Sequence, residues 1–244
     1  MTFDIITIFP AMIEEPLRNG ILGRAIDRGT LDVKVRDLRD FTTDRHRVVD
    51  DAPYGGGPGM VLKPEPIFRA LDAIETERRA PVSVILTSPQ GRRFTQTIAQ
   101  QLSREPHLAL LCGRYEGFDD RVRERVSAEL SIGDFVVSGG ELPALVILDA
   151  VARLVPGVVG DERSVTEDSF SRGLLDFPQF TRPPEIGTLR VPDVLLSGNH
   201  AEIRRWRKRE ALARTLERRP DLLDGAVLDD EEREILKELR HGRH

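Results

Sequence analysis

Leu108-Ala109-Leu110-Leu111-Cys112-Gly113-Arg114-Tyr115-Glu116-Gly117 is an apolar run that stops at a glycine-bearing turn. A run this short, bounded by Pro106 and Gly113, reads as a strand buried on both faces of a parallel sheet. Two other stretches end the same way. Pro81 to Thr87 leads into Thr87-Ser88-Pro89-Gln90-Gly91, and a third strand is expected to end at Ser138-Gly139-Gly140-Glu141. Nearer the start, Phe3 to Phe9 is a short β-branched run, and Leu31 to Leu38 alternates apolar and charged residues. Amphipathic stretches lie at Ile67 to Arg78, Thr95 to Ser103 and Asp120 to Leu130. Strand, helix, strand in this order implies right-handed crossovers and a parallel sheet, hence an α/β fold. Leu142 to Leu154 carries only Asp149 and Arg153 as charges. It is too apolar all round for a surface helix, so it should be buried against the sheet or another subunit.

The composition shifts at Gly160. Residues 161–173 are polar and rich in Ser, Asp and Glu, which reads as a linker. A proline-punctuated stretch (Pro178, Pro183, Pro184, Pro192) and two helices follow. The expected organisation is a domain over 1–160, a linker over 161–173 and a small helical domain over 174–244. A chain of 244 residues that is 39% hydrophobic can bury a substantial core. The longest uncharged stretch, Ala80 to Gly91, holds 12 residues and two prolines, short of the ~18 apolar residues of a membrane span. No export signal opens the chain. A single cysteine excludes an intrachain disulfide and argues for a reducing compartment. A cytoplasmic protein is expected. The net charge of −5 looks unfavourable for nucleic acid, but the charges are segregated. Ala201 to Arg219 holds eight basic and three acidic residues, and Pro220 to Arg240 three basic and eight acidic.

Several chemistries find no support. The five histidines cluster neither with each other nor with Cys112, so no zinc pattern exists. Cys112 reads as an inert core thiol, and no Gly-x-Ser-x-Gly elbow is present. Pro53-Tyr54-Gly55-Gly56-Gly57-Pro58-Gly59-Met60 lacks the Gly-Lys-Ser/Thr of a P-loop and by itself reads as a flexible surface loop. The three glycine turns say more. Carboxyl ends of neighbouring strands form the ligand crevice of an open α/β sheet, and glycine lets backbone approach a flat ligand. Three such turns without Gly-x-Gly-x-x-Gly suggest a ligand site that is not a Rossmann dinucleotide site.

These turns occur with Ser131-Ile132-Gly133-Asp134-Phe135-Val136-Val137 before the third, with Glu167-Asp168-Ser169-Phe170, with Phe180-Thr181-Arg182-Pro183, and with a run from Leu196 to Trp206. Taken together, nearly end to end, the sequence resembles the bacterial tRNA (guanine-N1)-methyltransferases of the SPOUT class. The resemblance implies a trefoil knot in the N-terminal domain, which sequence rules alone disfavour, and a homodimer with active sites at the subunit interface. It implies methyl transfer from S-adenosylmethionine to N1 of the guanosine immediately 3′ to a tRNA anticodon. The cofactor residues it implies are Ser88, Pro89, Gly91, Gly113, Tyr115, Glu116, Ile132, Gly133, Phe135, Val137, Gly139, Gly140 and Pro143. Phe135 stands where many relatives carry Tyr, and Val137 where many carry Leu. Asp168 is implied as general base and Arg153 as the cation beside guanine O6. Glu116 and Arg114 would support cofactor and target base, with Ser169 as a second hydrogen-bonding partner. Arg182, Arg204, Arg205, Arg207 and Lys208 would meet RNA. Gln179 and Phe180 replace a His-Tyr pair common in relatives. Mg²⁺ is suggested by the resemblance without a visible motif, and no other protein partner is implied.

Each residue also has a plainer reading. An Asp-Ser pair in a polar linker is ordinarily just solvated. Arg153 at a helix end can complement the helix dipole, and Arg114 can pair with Asp119 or Asp120. Trp206 can pack the small domain, and a charge run is usually a solvated face. The competing functions are a non-catalytic RNA-binding protein on the same scaffold, or a related enzyme methylating ribosomal RNA or a ribose 2′-hydroxyl.

Overall fold

A computed structural model describes residues 1–160 and 168–241. The chain divides into two compact units, Met1–Glu162 and Arg163–His244. The first part of the expected linker, 161–167, lies outside the described residues, as do 242–244.

The first unit is α/β. In chain order it runs β1 (Thr2–Thr7), α1 (Ala11–Leu17), α2 (Gly20–Asp27), β2 (Asp32–Asp37), β3 (Asp50–Asp51), β4 (Val61–Leu62), α3 (Pro64–Arg78), β5 (Ser83–Arg93), α4 (Gln96–Leu102), β6 (His107–Cys112), β7 (Ala128–Ser131) and α5 (Glu141–Ala152). Five strands form a parallel sheet in the order β2-β1-β6-β5-β7. Along β6, Leu108, Leu110 and Cys112 join one core with residues of α1, α2, α4 and α5, while Ala109 and Leu111 join a second beneath α3. Both sheet faces are covered, which is why β6 reads as one continuous apolar run.

Four expectations are corrected here. Asp120 to Leu130 is not one helix. A single 3-10 turn over Asp120–Arg125 gives way to extended Val126, and the Ser127 N–H donates to the Val84 carbonyl at 2.8 Å. That bond draws the chain alongside β5, where β7 buries Leu130 and Ser131. The third strand therefore ends at Ser131, not at Ser138. Thr87 to Gly91 is not a turn that closes a strand, because β5 continues to Arg93 with its register against β7 shifting between Thr87 and Arg92. Lastly, α5 is two-faced: Ala144, Ile147, Leu148 and Val151 are buried, but Leu142 and Val146 face outward.

The second unit contains a two-stranded ribbon, β8 (Glu185–Ile186) and β9 (Leu189–Arg190), a short helix α6 (Asp193–Leu196), and two longer helices, α7 (His200–Arg218) and α8 (Asp230–His241). Asn199 caps α7 by accepting from the Ala201 and Glu202 N–H groups. Leu174, Leu212 and Ile235 make its small core. Among the described residues, no helix is long and apolar enough to cross a membrane.

Candidate active site

Strands β6, β5 and β7 are neighbours, so their carboxyl ends open on one side of the sheet. There three glycine-bearing segments lock together. Gly140 N–H donates to the Gly113 carbonyl at 2.7 Å, and Arg114 bridges Gly139 in antiparallel fashion. A β-carbon on Gly140 would lie 2.6 Å from the Gly113 nitrogen and closer still to the Thr87 hydroxyl. One on Gly91 would lie 2.5 Å from the Leu130 nitrogen. These positions admit only glycine because backbone meets backbone there. Tyr115 follows Gly113-Arg114 with φ +58°, in the left-handed region that few non-glycine residues adopt.

The segments enclose a cavity of about 460 Å³. All the expected cofactor residues line it except Gly91, which packs beneath β7. Ser88 and Pro89 come from β5, Gly113, Tyr115 and Glu116 from the loop after β6, and Ile132, Gly133, Phe135, Val137, Gly139 and Gly140 from the loop after β7. Pro143 enters from the first turn of α5. Phe118, Asp119 and Arg123 also line it and were not singled out from the sequence. The glycine-rich stretch 53–60 links β3 to β4. It adjoins this region, since Glu116 N–H donates to the Met60 carbonyl at 3.0 Å and Leu62 N–H to Gly117 at 2.9 Å.

Arg114 pairs with neither Asp119 nor Asp120. Those carboxylates take Arg121 at 2.7 Å and Arg123 at 2.6 Å, and the Arg121 guanidinium holds the Asp119 carboxyl below its usual range. Arg114 Nε donates instead to Glu141 Oε2 at 2.9 Å, Arg114 Nη1 donates to the Ser138 carbonyl at 3.1 Å, and the guanidinium lies 4.5 Å from the centre of the Phe9 ring. Glu141 is fully buried, and its other oxygen accepts from the Thr7 hydroxyl at 2.7 Å. One carboxylate thus ties the end of β1, the loop after β6 and the start of α5 together. The sequence held a signal for Glu141: an acid opens a helix whose one other charge is Asp149, at the end where the helix dipole favours negative charge. Burial pushes the Cys112 thiol well above its usual range, and the charge of Glu141 adds to this. That thiol is inert.

The remaining expected residues lie apart from the cavity lining. Arg153 follows α5 directly and donates its backbone N–H to Asp149 at 3.1 Å. Asp168 belongs to the second unit, where it is exposed and its carbonyl accepts from Ser171 N–H at 3.2 Å. The Ser169 hydroxyl accepts from Asp176 N–H at 2.9 Å, so it serves the turn that carries Asp168. Among the described residues, no group of three or more His, Cys, Asp or Glu could hold a metal ion.

In the second unit the basic helix is partly neutralised by its neighbour. Lys208 Nζ lies 2.8 Å from Asp229 and 2.7 Å from Glu231. Arg209 and Arg205 approach Glu238 at 3.1 and 3.8 Å. Lys208, expected to meet RNA, is paired with these two carboxylates within the unit. Arg207 lies over the Phe177 ring at 4.8 Å. Arg182 and Arg204 are exposed. Trp206 packs at 6.3 Å from Phe180.

Comparison with known proteins adds an independent line. A family model described as tRNA (Guanine-1)-methyltransferase TrmD matches residues 1–225. A protein of Geobacter metallireducens named tRNA (guanine-N(1)-)-methyltransferase is 55% identical over 243 residues, covering 99% of each chain. A protein of the same name from Dictyoglomus turgidum is 53% identical, covering 98% of this chain and 97% of its own.

Proposed function

The chain belongs to the tRNA (guanine-1)-methyltransferase family, and from that premise we propose that it methylates N1 of the guanosine immediately 3′ to a tRNA anticodon, using S-adenosylmethionine, as a homodimer. The observation that carries this reading is the meeting of three glycine segments around one cavity. At Gly113, Gly117, Gly133, Gly139 and Gly140 the lining has no side chain, so backbone N–H and C=O groups are open to the edges of a purine ring. The places where a β-carbon would strike backbone make it a close cradle. Ser88, Pro89, Gly113, Tyr115, Ile132, Phe135 and Gly140 would hold the cofactor, and Glu116 would meet its positive charge. S-adenosylmethionine supplies an electrophilic methyl group on a sulfonium. The contact of the loop after β6 with the loop after β7, at Gly113 with Gly140 and Arg114 with Gly139, is in keeping with a trefoil knot, which we include in the proposal.

The difficulty of the reaction lies in the acceptor. Guanine N1 carries a proton at neutral pH, and its lone pair becomes available only as that proton leaves. Asp168 takes it as general base. Charge then moves toward O6, where the Arg153 guanidinium stabilises it. Arg114, held by Glu141, keeps the second glycine segment in place. Leu142 and Val146 on the outer face of α5 support a subunit interface, and Arg153 continues the same stripe at helical spacing. Asp168 acts on the pocket of the other subunit. Residues 1–160 would hold the cofactor and 174–244 would grip tRNA through Arg182, Arg204, Arg205 and Arg207. A divalent ion would draw its ligands from RNA phosphates and water.

Methylation of unmodified tRNAs with and without guanosine beside the anticodon tests the substrate. Asp168→Ala tests the base. Transfer should fall by at least about 100-fold, the usual contribution of a positioned base, while S-adenosylmethionine affinity measured by calorimetry stays near wild type. Turnover close to wild type by that variant would remove Asp168 from this role.

A further inference from the structure

The second unit holds a cavity of its own, of about 590 Å³, within the roughly 300–1,000 Å³ typical of ligand clefts. It lies beside the first half of α7, away from the small core formed by Leu174, Leu212 and Ile235. Two physical facts keep it open. Its other wall is the segment with Pro178 and Pro184, whose fixed backbone angles resist collapse. Beside the aliphatic Val191, Leu195, Leu196 and Ile203, the wide rings of Phe177, Phe180 and Trp206 line it. Phe180 is 47% exposed and sits 6.3 Å from Trp206 at a tilt of 53°, so each ring has a face to offer. Phe177 is covered by the Arg207 guanidinium at 4.8 Å.

The charge around this cavity is one-sided. Its lining includes Arg182 and Arg207 and no Asp or Glu. Farther along α7, Lys208 and Arg209 pair with Asp229, Glu231 and Glu238. No ion pair involves Arg182 or Arg207 among the described residues. Two cations outside any ion pair among the described residues therefore stand where the unit's aromatic rings are exposed. Aromatic faces flanked by unpaired guanidinium groups are what an unstacked base with its phosphodiester requires.

We propose that this cavity is a base-binding subsite. It takes one unstacked nucleobase of the tRNA against Phe180 and Trp206, and Arg182 and Arg207 meet the adjoining phosphates. The proposal rests on tRNA being the substrate and adds to it a second grip, distinct from the pocket for the guanosine that is methylated. A tRNA held at two bases is fixed in register along its backbone, which phosphate contacts alone do not achieve.

The test uses the full-length protein and an unmodified substrate tRNA, with equilibrium binding as the readout. Phe180→Ala should weaken tRNA binding about 5- to 150-fold, the range for loss of one base–aromatic stack, with S-adenosylmethionine binding retained as evidence of folding. Phe180→Trp should bind as well as wild type or better. An abasic scan of the anticodon stem-loop then identifies the base. At one position, base removal should weaken wild type and have no further effect on Phe180→Ala. Wild-type affinity in Phe180→Ala, or additive losses at every abasic position, would overturn the subsite while leaving the tRNA reading intact. A change in oligomer mass without a change in tRNA affinity would assign the cavity to a second copy of the chain and overturn the proposal as well. A wild-type protein that binds no tRNA would overturn both readings.

Discussion

Asp168 and Arg153 show how little a single residue reveals about its own role. Asp168 is an exposed carboxylate in the second unit, and Arg153 follows the last turn of a mostly apolar helix. Neither lines the glycine cavity. In the proposed mechanism both act on one guanine from different subunits, and that has a consequence in mixtures. Asp168→Ala and Arg153→Ala homodimers should each be inactive. In a heterodimer one site carries both defects and the other neither. Random subunit exchange of equal amounts should restore about a quarter of wild-type methylation, since half the dimers are mixed and each has one intact site of two. Absence of any recovery would contradict a composite site. Glu141 illustrates the reverse case. Its partners are legible only in three dimensions, because Thr7 and Arg114 lie far away in sequence. The expected pairing of Arg114 with Asp119 or Asp120 followed sequence proximity, and proximity lost to a buried carboxylate.

At the scale of elements, most strands and helices could be read from apolar runs and helical spacing, because both sheet faces are covered and β1, β5 and β6 leave continuous hydrophobic signatures. β7 could not. It is a four-residue edge strand that follows a charged 3-10 turn, and its Ala-Glu-Leu-Ser sequence extends a helical pattern as readily as it forms a strand. What makes it a strand is non-local pairing with β5. The glycine segments were legible as a group, but their interlocking was not, since spacing cannot show that Gly140 lies against Gly113 and Thr87. That contact gives a sharp expectation. Gly140→Ala would place a β-carbon 2.6 Å from the Gly113 nitrogen, where backbone cannot give way cheaply. We expect destabilisation of about 1–3 kcal/mol, as for other overpacked sites, and a loss of S-adenosylmethionine affinity by more than about 10-fold, measured by urea unfolding and calorimetry. Gly160→Ala, where an added β-carbon meets nothing within 4 Å, is the matched control. Equal affinity in the two variants would mean that the cradle does not depend on close backbone approach.

Across the whole molecule, the net charge of −5 conceals an internal pairing as well as a basic face. The acidic residues of 229–238 do more than cancel the basic helix in the sum: they meet Lys208, Arg209 and Arg205 directly, while Arg182, Arg204 and Arg207 are in no ion pair among the described residues. Titration follows from these pairs. Lys208 holds the Asp229 carboxyl below its usual range, and Asp229 and Glu231 hold the Lys208 ammonium above its own. In the first unit, Lys34 and Arg36 bring Glu77 down to about 2. A lowered carboxylate contributes stability that is complete above its ordinary value of about 4.5 and is lost as pH falls through its folded value. A raised ammonium contributes below its ordinary value and loses its contribution at still higher pH. Both kinds of pair are therefore intact at neutral pH, and the melting temperature should fall steadily from about pH 4.5 toward pH 2. Lys208→Met separates the internal role from an RNA-binding one. Being largely solvated, the pair should be worth at most about 1 kcal/mol at pH 7. Without its partner Asp229 should titrate closer to its ordinary value, held down only by the Glu232 N–H and the charge of Arg172, which makes the acid limb shallower when followed by circular dichroism. The slope of log affinity for tRNA against log salt should stay at its wild-type value in Lys208→Met, whereas Arg204→Met should reduce it by about 0.7–0.9, one phosphate contact. A slope reduced equally by both substitutions would return Lys208 to the RNA-facing surface and break the division of labour along α7.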